Sequence, residues 1–159
     1  MVFQIFLNSL IALLWQFLQA DFTFSTFLIG YIIGIIMLFT MRRFFKGRFY
    51  LERAFSIVRL IVMFLGDVVT SSIAMSKVIL AKDIDITPGI FKYRTVLESD
   101  WEVMLLTSLI SLTPGTTCIE VDEDSHTFYI HCIDLSDPEE ERSKIRNGFE
   151  RHIVEVFRK

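Results

Sequence analysis

The apolar positions of this chain fall into two regimes. Val2 to Leu18 (VFQIFLNSLIALLWQFL) and Phe22 to Met41 (FTFSTFLIGYIIGIIMLFTM) are nearly continuous apolar runs, and Asp21 is the one charge before Arg42. At 1.5 Å per residue, each is long enough to cover a hydrocarbon core of roughly 30 Å. Neither a basic lead nor a small-residue cleavage motif accompanies the first run, so it does not read as a signal peptide. Only Gln19-Ala20-Asp21 separates the two runs. That spacing predicts a tight transmembrane helical hairpin over residues 1–48. Gly30 and Gly34 stand four apart, which predicts a face that lets another helix approach closely. Gln4, Asn8 and Gln16 lie roughly on one side of the first helix. Lone amides are costly in lipid, so that side is expected to face protein in a larger assembly.

From Arg53 to Leu80 the pattern changes. Ser56, Arg59, Gly66/Asp67, Thr70 and Lys77 recur at helical spacing on an otherwise apolar segment. The stripe predicts an amphipathic helix over residues 49–82, interfacial or packed on another subunit, with a third membrane span as the alternative. Asp67 is the one carboxylate inside this stretch. It reads either as a proton- or cation-relay group or as a solvated member of the polar stripe, and the second reading is preferred.

Residues 83–159 are patterned as a small α+β domain. IFKYRTVL (90–97) is rich in β-formers, and Ser99-Asp100-Trp101-Glu102 has the form of a capping box. A helix should run from there to about Leu112, with Trp101, Leu105, Ser108 and Leu112 on one face. Its other positions are also apolar, so both sides should be covered, one by the sheet and one by the membrane part or a partner. Thr116–Asp122 and Thr127–Asp134 predict two strands, registered by Val121 opposite Phe128 and Ile119 opposite Ile130. Cys118 and Cys132 then fall on different faces, which argues against a disulfide. Asp137-Pro138 with Glu139 to Glu141 opens a last helix that buries Ile145, Phe149, Ile153 and Val156. The predicted order is β-α-β-β-α.

Thr-Pro-Gly occurs twice, at Thr87-Pro88-Gly89 and Thr113-Pro114-Gly115, the second followed by Thr116. Proline cannot continue a helix and glycine accepts a positive φ, so each triplet suits a turn that ends one element and aims the chain into a strand. The rival reading is an anion-binding nest of amides. No Gly-Lys-Ser/Thr ending supports a nucleotide there.

Charge adds a direction. Residues 1–60 carry +4 and the remainder −7, giving the net −3. An acidic C-terminal half argues against a nucleic-acid partner. The basic stretch RRFFKGR (42–48) follows the second apolar run, and such stretches stay in the cytoplasm. The C-terminal domain is therefore expected in the cytoplasm; a third span would put it outside. No Ser/His/Asp, Cys/His or paired-carboxylate set stands out, and two cysteines with a stray histidine make a poor metal site. Neither enzymatic activity nor a cofactor nor a metal is expected.

FQIFLN (3–8), Gly30-Tyr31, Arg42-Arg43, PGIF (88–91), Asp100-Trp101-Glu102, SLTPGT (111–116), YIH (129–131) and Ile133-Asp134 occur in order along the whole length. On these landmarks the chain resembles the E subunit of the multisubunit Mrp-type (Mnh-type) Na⁺/H⁺ antiporters of bacteria. Thr87 stands where that family is expected to carry a basic residue. The resemblance implies an accessory subunit of a cell-membrane complex that exports Na⁺ in exchange for H⁺, with other membrane subunits and the lipid bilayer as partners. It also implies that ion translocation belongs chiefly to larger subunits, in keeping with two short helices that carry few polar groups. The alternative from another class is a stand-alone membrane-anchored regulatory or ligand-binding domain.

Overall fold

The computed structural model describes residues 2–44, 49–84, 86–122 and 126–158. Residues 1–55 and 56–159 form two compact bodies.

In the first body α1 (Val2–Gln19) and α2 (Phe24–Thr40) pack antiparallel. Both are apolar on their outer faces, with Phe6, Phe17, Leu28 and Ile36 exposed. Among the described helices, α1 and the later α3 are long and apolar enough to cross a membrane, while α2, at 17 residues, is shorter. The link is a Schellman turn. Ala20 N–H donates to Phe17 O and Asp21 N–H to Gln16 O. Ala20 takes φ 51°, the left-handed region that a Cβ disfavours. Thr23 then caps α2. Arg42–Phe44 form a 3₁₀ turn after α2, with the Arg42 guanidinium 4.7 Å from the Phe39 ring centre. Phe45, Lys46, Gly47 and Arg48, the rest of the basic stretch, lie outside the described residues.

The second body is built from most of α3 (Tyr50–Leu80) together with β1 (Gly89–Arg94), α4 (Asp100–Leu112), β2 (Thr116–Val121), β3 (Thr127–Cys132), α5 (Pro138–Ile145) and α6 (Arg151–Phe157). The strands form one antiparallel sheet in the order β1-β3-β2. One sheet face, with Phe91, Tyr93, Phe128, Ile130 and Cys132, is buried against Val103, Leu106 and Ile110 of α4 and Ile145, Phe149, Ile153 and Val156 of the last helices. Leu60 of α3 joins this core. The other sheet face is polar, with Lys92 over the Tyr129 ring at 5.2 Å.

Several elements depart from the sequence reading, each for a local reason. Val121 does pair with Phe128, but a bulge at Ile119 puts Cys118, not Ile119, opposite Ile130. The extra residue resets the alternation. Cys118 and Cys132 therefore share the core-facing side, and both are free thiols. The capping box forms at Ser99 and Glu102. However, α4 buries Val103, Leu106 and Ile110 and leaves Trp101, Met104 and Leu112 exposed. The last helix contains a π turn at Arg146–Glu150. The widened turn brings two consecutive residues, Phe149 and Glu150, to the buried side.

Substituting Ala20→Gly should stabilise the hairpin by on the order of 1 kcal/mol, since glycine removes the cost of the left-handed backbone. Thermal unfolding of the detergent-solubilised protein measures it, and an unchanged or lower midpoint contradicts the turn described.

Candidate functional site

No reaction centre presents itself among the described residues, and the candidate positions are spread over both bodies. The first is the seam between α1 and α2. Gly30 and Gly34 lie on the α2 face turned to α1. A Cβ on Gly30 would come within 2.8 Å of Trp15 Cβ and 3.0 Å of Ala12 backbone atoms. A Cβ on Gly34 would collide with Asn8 Oδ1. Asn8 Oδ1 is buried without a conventional hydrogen-bond donor. It occupies the space that a side chain at position 34 would fill.

The amides expected to face a partner protein are turned inward instead. Gln4 Oε1 accepts from Tyr50 N–H at 2.8 Å, Asn8 Nδ2 donates to Tyr50 Oη at 2.9 Å, and Gln16 Nε2 donates to Thr23 O at 2.9 Å. All three residues are less than a tenth exposed. The amide side therefore needs no second protein. At the link, the Asp21 carboxylate accepts from Thr26 Oγ1 at 2.6 Å and Thr23 Oγ1 at 3.0 Å. These bonds, Thr26 first, hold its carboxyl below the usual carboxylate range.

The two Thr-Pro-Gly triplets differ. At the second, Thr113 N–H donates to Ile110 O, Thr113 Oγ1 to Leu109 O, and Thr116 Oγ1 to Ile110 O at 2.9 Å. Thr116 N–H turns back to Thr113 O, and Gly115 O accepts from Ile133 N–H at 2.9 Å. Gly115 has φ 96°, and a Cβ there would sit 3.0 Å from Met75 Cε. These bonds close α4 and start β2 instead of converging outward on an anion. The first triplet ends no helix, since α3 stops at Leu80. Gly89 is already in β1, paired with Cys132, and among the described glycines only Gly115 has a positive φ. Thr87 O accepts from Leu135 N–H at 2.8 Å and Thr87 N–H donates to Asp134 Oδ1. The first triplet therefore leads a strand in, and the glycine leaves room for the Leu135 side chain.

Asp67 is half-buried on the side of α3 turned to the sheet body, next to the exposed Gly66 and Thr70 of the polar stripe. It lines a cavity of about 950 Å³ with Thr70, Met75, Gly115, Asp134 and Lys144, and its electrostatic neighbour is His152. Lys144 lies between Glu141 and Glu140, at 2.7 and 2.9 Å, and these bonds, Glu141 first, push its ammonium up to about 12. Among the described residues no group of three or more His, Cys, Asp or Glu could hold a metal ion.

Two buried carboxylates have structural work. Glu102, marked in the sequence only as a capping residue, accepts from Arg158 Nη2 at 3.1 Å and from Ser99 N–H. Glu150 leaves no sequence signal. It accepts from Thr95 Oγ1 at 2.7 Å, Val96 N–H at 2.6 Å and Tyr93 Oη. Burial first, and then the Glu150 carboxylate, hold the Tyr93 phenol well above its ordinary range. The two thiols are likewise pushed up by burial, which makes both poor nucleophiles at neutral pH.

A two-helix apolar hairpin followed in the chain by a small sheet body is the make-up of a membrane-associated protein. Comparison with solved structures agrees. A chain of the membrane-bound sulfane sulfur reductase, an archaeal respiratory membrane complex, superposes with TM-score 0.58 at 26% identity, covering 97% of this chain and 98% of that one. A chain of the Mrp complex from Dietzia sp. DQ12-45-1b gives TM-score 0.50 at 25% identity over 65% of this chain and 96% of that one. The sequence profile described as "Na+/H+ ion antiporter subunit" matches residues 8–156. The Na(+)/H(+) antiporter E subunit of Alkalihalophilus pseudofirmus is 43% identical over 98% of this chain and 99% of its own length. The corresponding E subunit of Bacillus subtilis is 40% identical over 99% and 100%. The chain belongs to the family of Na⁺/H⁺ antiporter E subunits.

Glu150→Gln should cost about 1–3 kcal/mol, because a neutral amide replaces a carboxylate that accepts three buried hydrogen bonds. Chemical denaturation of the full chain reads this. A loss below the measurement error would show that the network carries no stability.

Proposed function

We propose that this chain is an accessory, non-catalytic subunit of a cell-membrane Na⁺/H⁺ antiporter complex, with its sheet body in the cytoplasm and its work in assembly and stability. The full-length match to proteins named as E subunits of Na⁺/H⁺ antiporters carries the reading. Membership of a complex that exchanges Na⁺ for H⁺ comes from those names.

The internal bonding of the hairpin supports an accessory role. An ion path needs a row of polar groups free to replace water around the ion. Here Gln16, Asp21 and Thr26 are committed to bonds within the hairpin and its link, and Gln4 and the Asn8 Nδ2 group to Tyr50. A second support comes from the archaeal chain of similar architecture, which belongs to a complex described by a different chemistry. One scaffold beside two chemistries fits a structural task. Contact with sibling subunits is assigned to the uncovered apolar side of α4, where Trp101 is 73% and Met104 61% exposed. The cytoplasmic sidedness rests on Arg42 and Arg43 after α2.

Three measurements bear on this reading. The tagged full chain should migrate with a large complex on a native gel, and the double substitution Trp101→Glu/Met104→Glu should release it while leaving its own fold intact. Migration of the native chain alone would favour the stand-alone anchored domain. Asp67→Asn should leave exchange per assembled complex close to normal; a collapse with normal assembly would assign Asp67 to the ion path. For sidedness, a cysteine introduced at the exposed Ser136 should react with an impermeant maleimide only after the membrane is opened. Cys118 and Cys132 are too poorly reactive for this purpose, and labelling of Ser136→Cys in intact cells would place the sheet body outside.

A further inference from the structure

α3 satisfies the length and composition of a membrane span, yet its side-chain contacts argue against one. Near its start, and again at Met75 beyond the cavity lined by Asp67 and Thr70, side chains of the helix reach the sheet body. Arg59 Nη1 lies 3.8 Å from Glu155, Phe64 lies 6.5 Å from Phe149 between ring centres, and Met75 Cε abuts the position above Gly115. Ile57, Leu60 and Met63 pack on the core of that body. Ile57 to Met75 is eighteen steps of 1.5 Å, roughly 27 Å, nearly the whole hydrocarbon thickness. A crossing α3 would draw the attached body into lipid with it. That body carries Glu139, Glu140, Glu141, Arg142 and Lys144 on its surface and two open sheet edges. Neither unpaired edges nor exposed charges are tolerated in hydrocarbon.

The side of α3 opposite those contacts has a different chemistry. Val58, Val62, Leu65, Val69, Ile73 and Leu80 follow one another there at helical spacing, each more than half exposed. Arg59 and Lys77 are eighteen residues, five turns, apart and so share one flank of the helix. Thr70, on the same flank, donates its hydroxyl to its own helix at Gly66 O and Asp67 O. We propose that α3 lies in the plane of the membrane surface. Its aliphatic side enters the acyl boundary, Arg59 and Lys77 stand among anionic headgroups, and the sheet body rides on the opposite side. Two observations point to lipid as the occupant. The helix follows directly on the membrane hairpin and the basic pair Arg42-Arg43. Its lipid side is aliphatic apart from the exposed Phe55 and Ser76 and carries no charge, and an apolar side of this kind with a basic flank is the composition of interfacial helices.

The test uses the full chain in vesicles of phosphatidylcholine and phosphatidylglycerol, with a nitroxide at one of Val58→Cys, Val62→Cys, Val69→Cys or Ile73→Cys, and at Arg59→Cys or Lys77→Cys. Unsubstituted protein controls for labelling of the native thiols. Power saturation with oxygen and with a polar nickel chelate gives the depth of each label. The expected result is one shallow depth, about 5–10 Å below the headgroups, at all four aliphatic positions, with the flank positions open to nickel. A depth that changes by roughly 22 Å from 58 to 73 would mean a crossing helix and overturn the proposal. Exclusion of both oxygen and nickel would mean that another protein covers this side, and would overturn it equally. Depth does not depend on which leaflet is occupied or on what the complex transports. Failure here is therefore distinct from failure of the sidedness or antiporter reading.

Discussion

A polar group buried in an apolar helix pair must find its partner inside the protein, and the first body is arranged around that requirement. Gln4, Asn8 and Gln16 point into the seam, where Tyr50 supplies a backbone N–H and a hydroxyl and Thr23 a carbonyl. Glycine on α2 is what makes the seam narrow enough: at Gly34 any side chain would occupy the space of the Asn8 amide. With these polar groups bonded inward, the hairpin presents mostly apolar side chains outward, and its exposed polar residues, Gln19, Asp21, Thr23, Ser25 and Thr40, stand at the helix ends and the link. It can dissolve in lipid and anchor a partner surface, but it has little left with which to handle an ion.

The same economy governs the sheet body. Its buried charges are there to hold loops. Glu150 fixes the exit of β1 through Thr95 and Val96, and Glu102 ties the start of α4 to the end of α6 through Arg158. Each of these carboxylates accepts several hydrogen bonds, the condition under which a buried charge is tolerable. Gly115 sets the corner between α4 and β2, and its missing Cβ leaves room for Met75 of α3. The turn that the sequence repeats is thus used once as a corner and once as an extended lead into β1.

Much of this fold is legible from spacing. The apolar runs, the capping box at Ser99 and Glu102 and the inward face Ile145, Phe149, Ile153 and Val156 follow from periods of 3.6 and from local hydrogen-bonding chemistry. What spacing cannot reveal depends on distant partners or on a single inserted residue. Helical spacing puts the α1 amides on one side, as found, but their partner Tyr50 lies 42 residues from Asn8. Alternation runs unbroken through Ile119, so the bulge and the resulting common face of the two thiols leave no local mark. The π turn that buries Glu150 next to Phe149 is equally silent. For Asp67, helical spacing identifies a polar face without saying what stands opposite it, which is a cavity lined on its far side by residues of the sheet body.

The central claim is that the chain supports an exchanger without conducting. It is tested most directly by removing the chain and counting exchange per remaining complex. Complexes from cells with and without it would be quantified, reconstituted and assayed for Na⁺-driven proton movement. The account predicts that far fewer complexes survive without the chain, while those that do exchange at a near-normal rate. A normal yield of complexes that no longer exchange Na⁺ for H⁺ would contradict it.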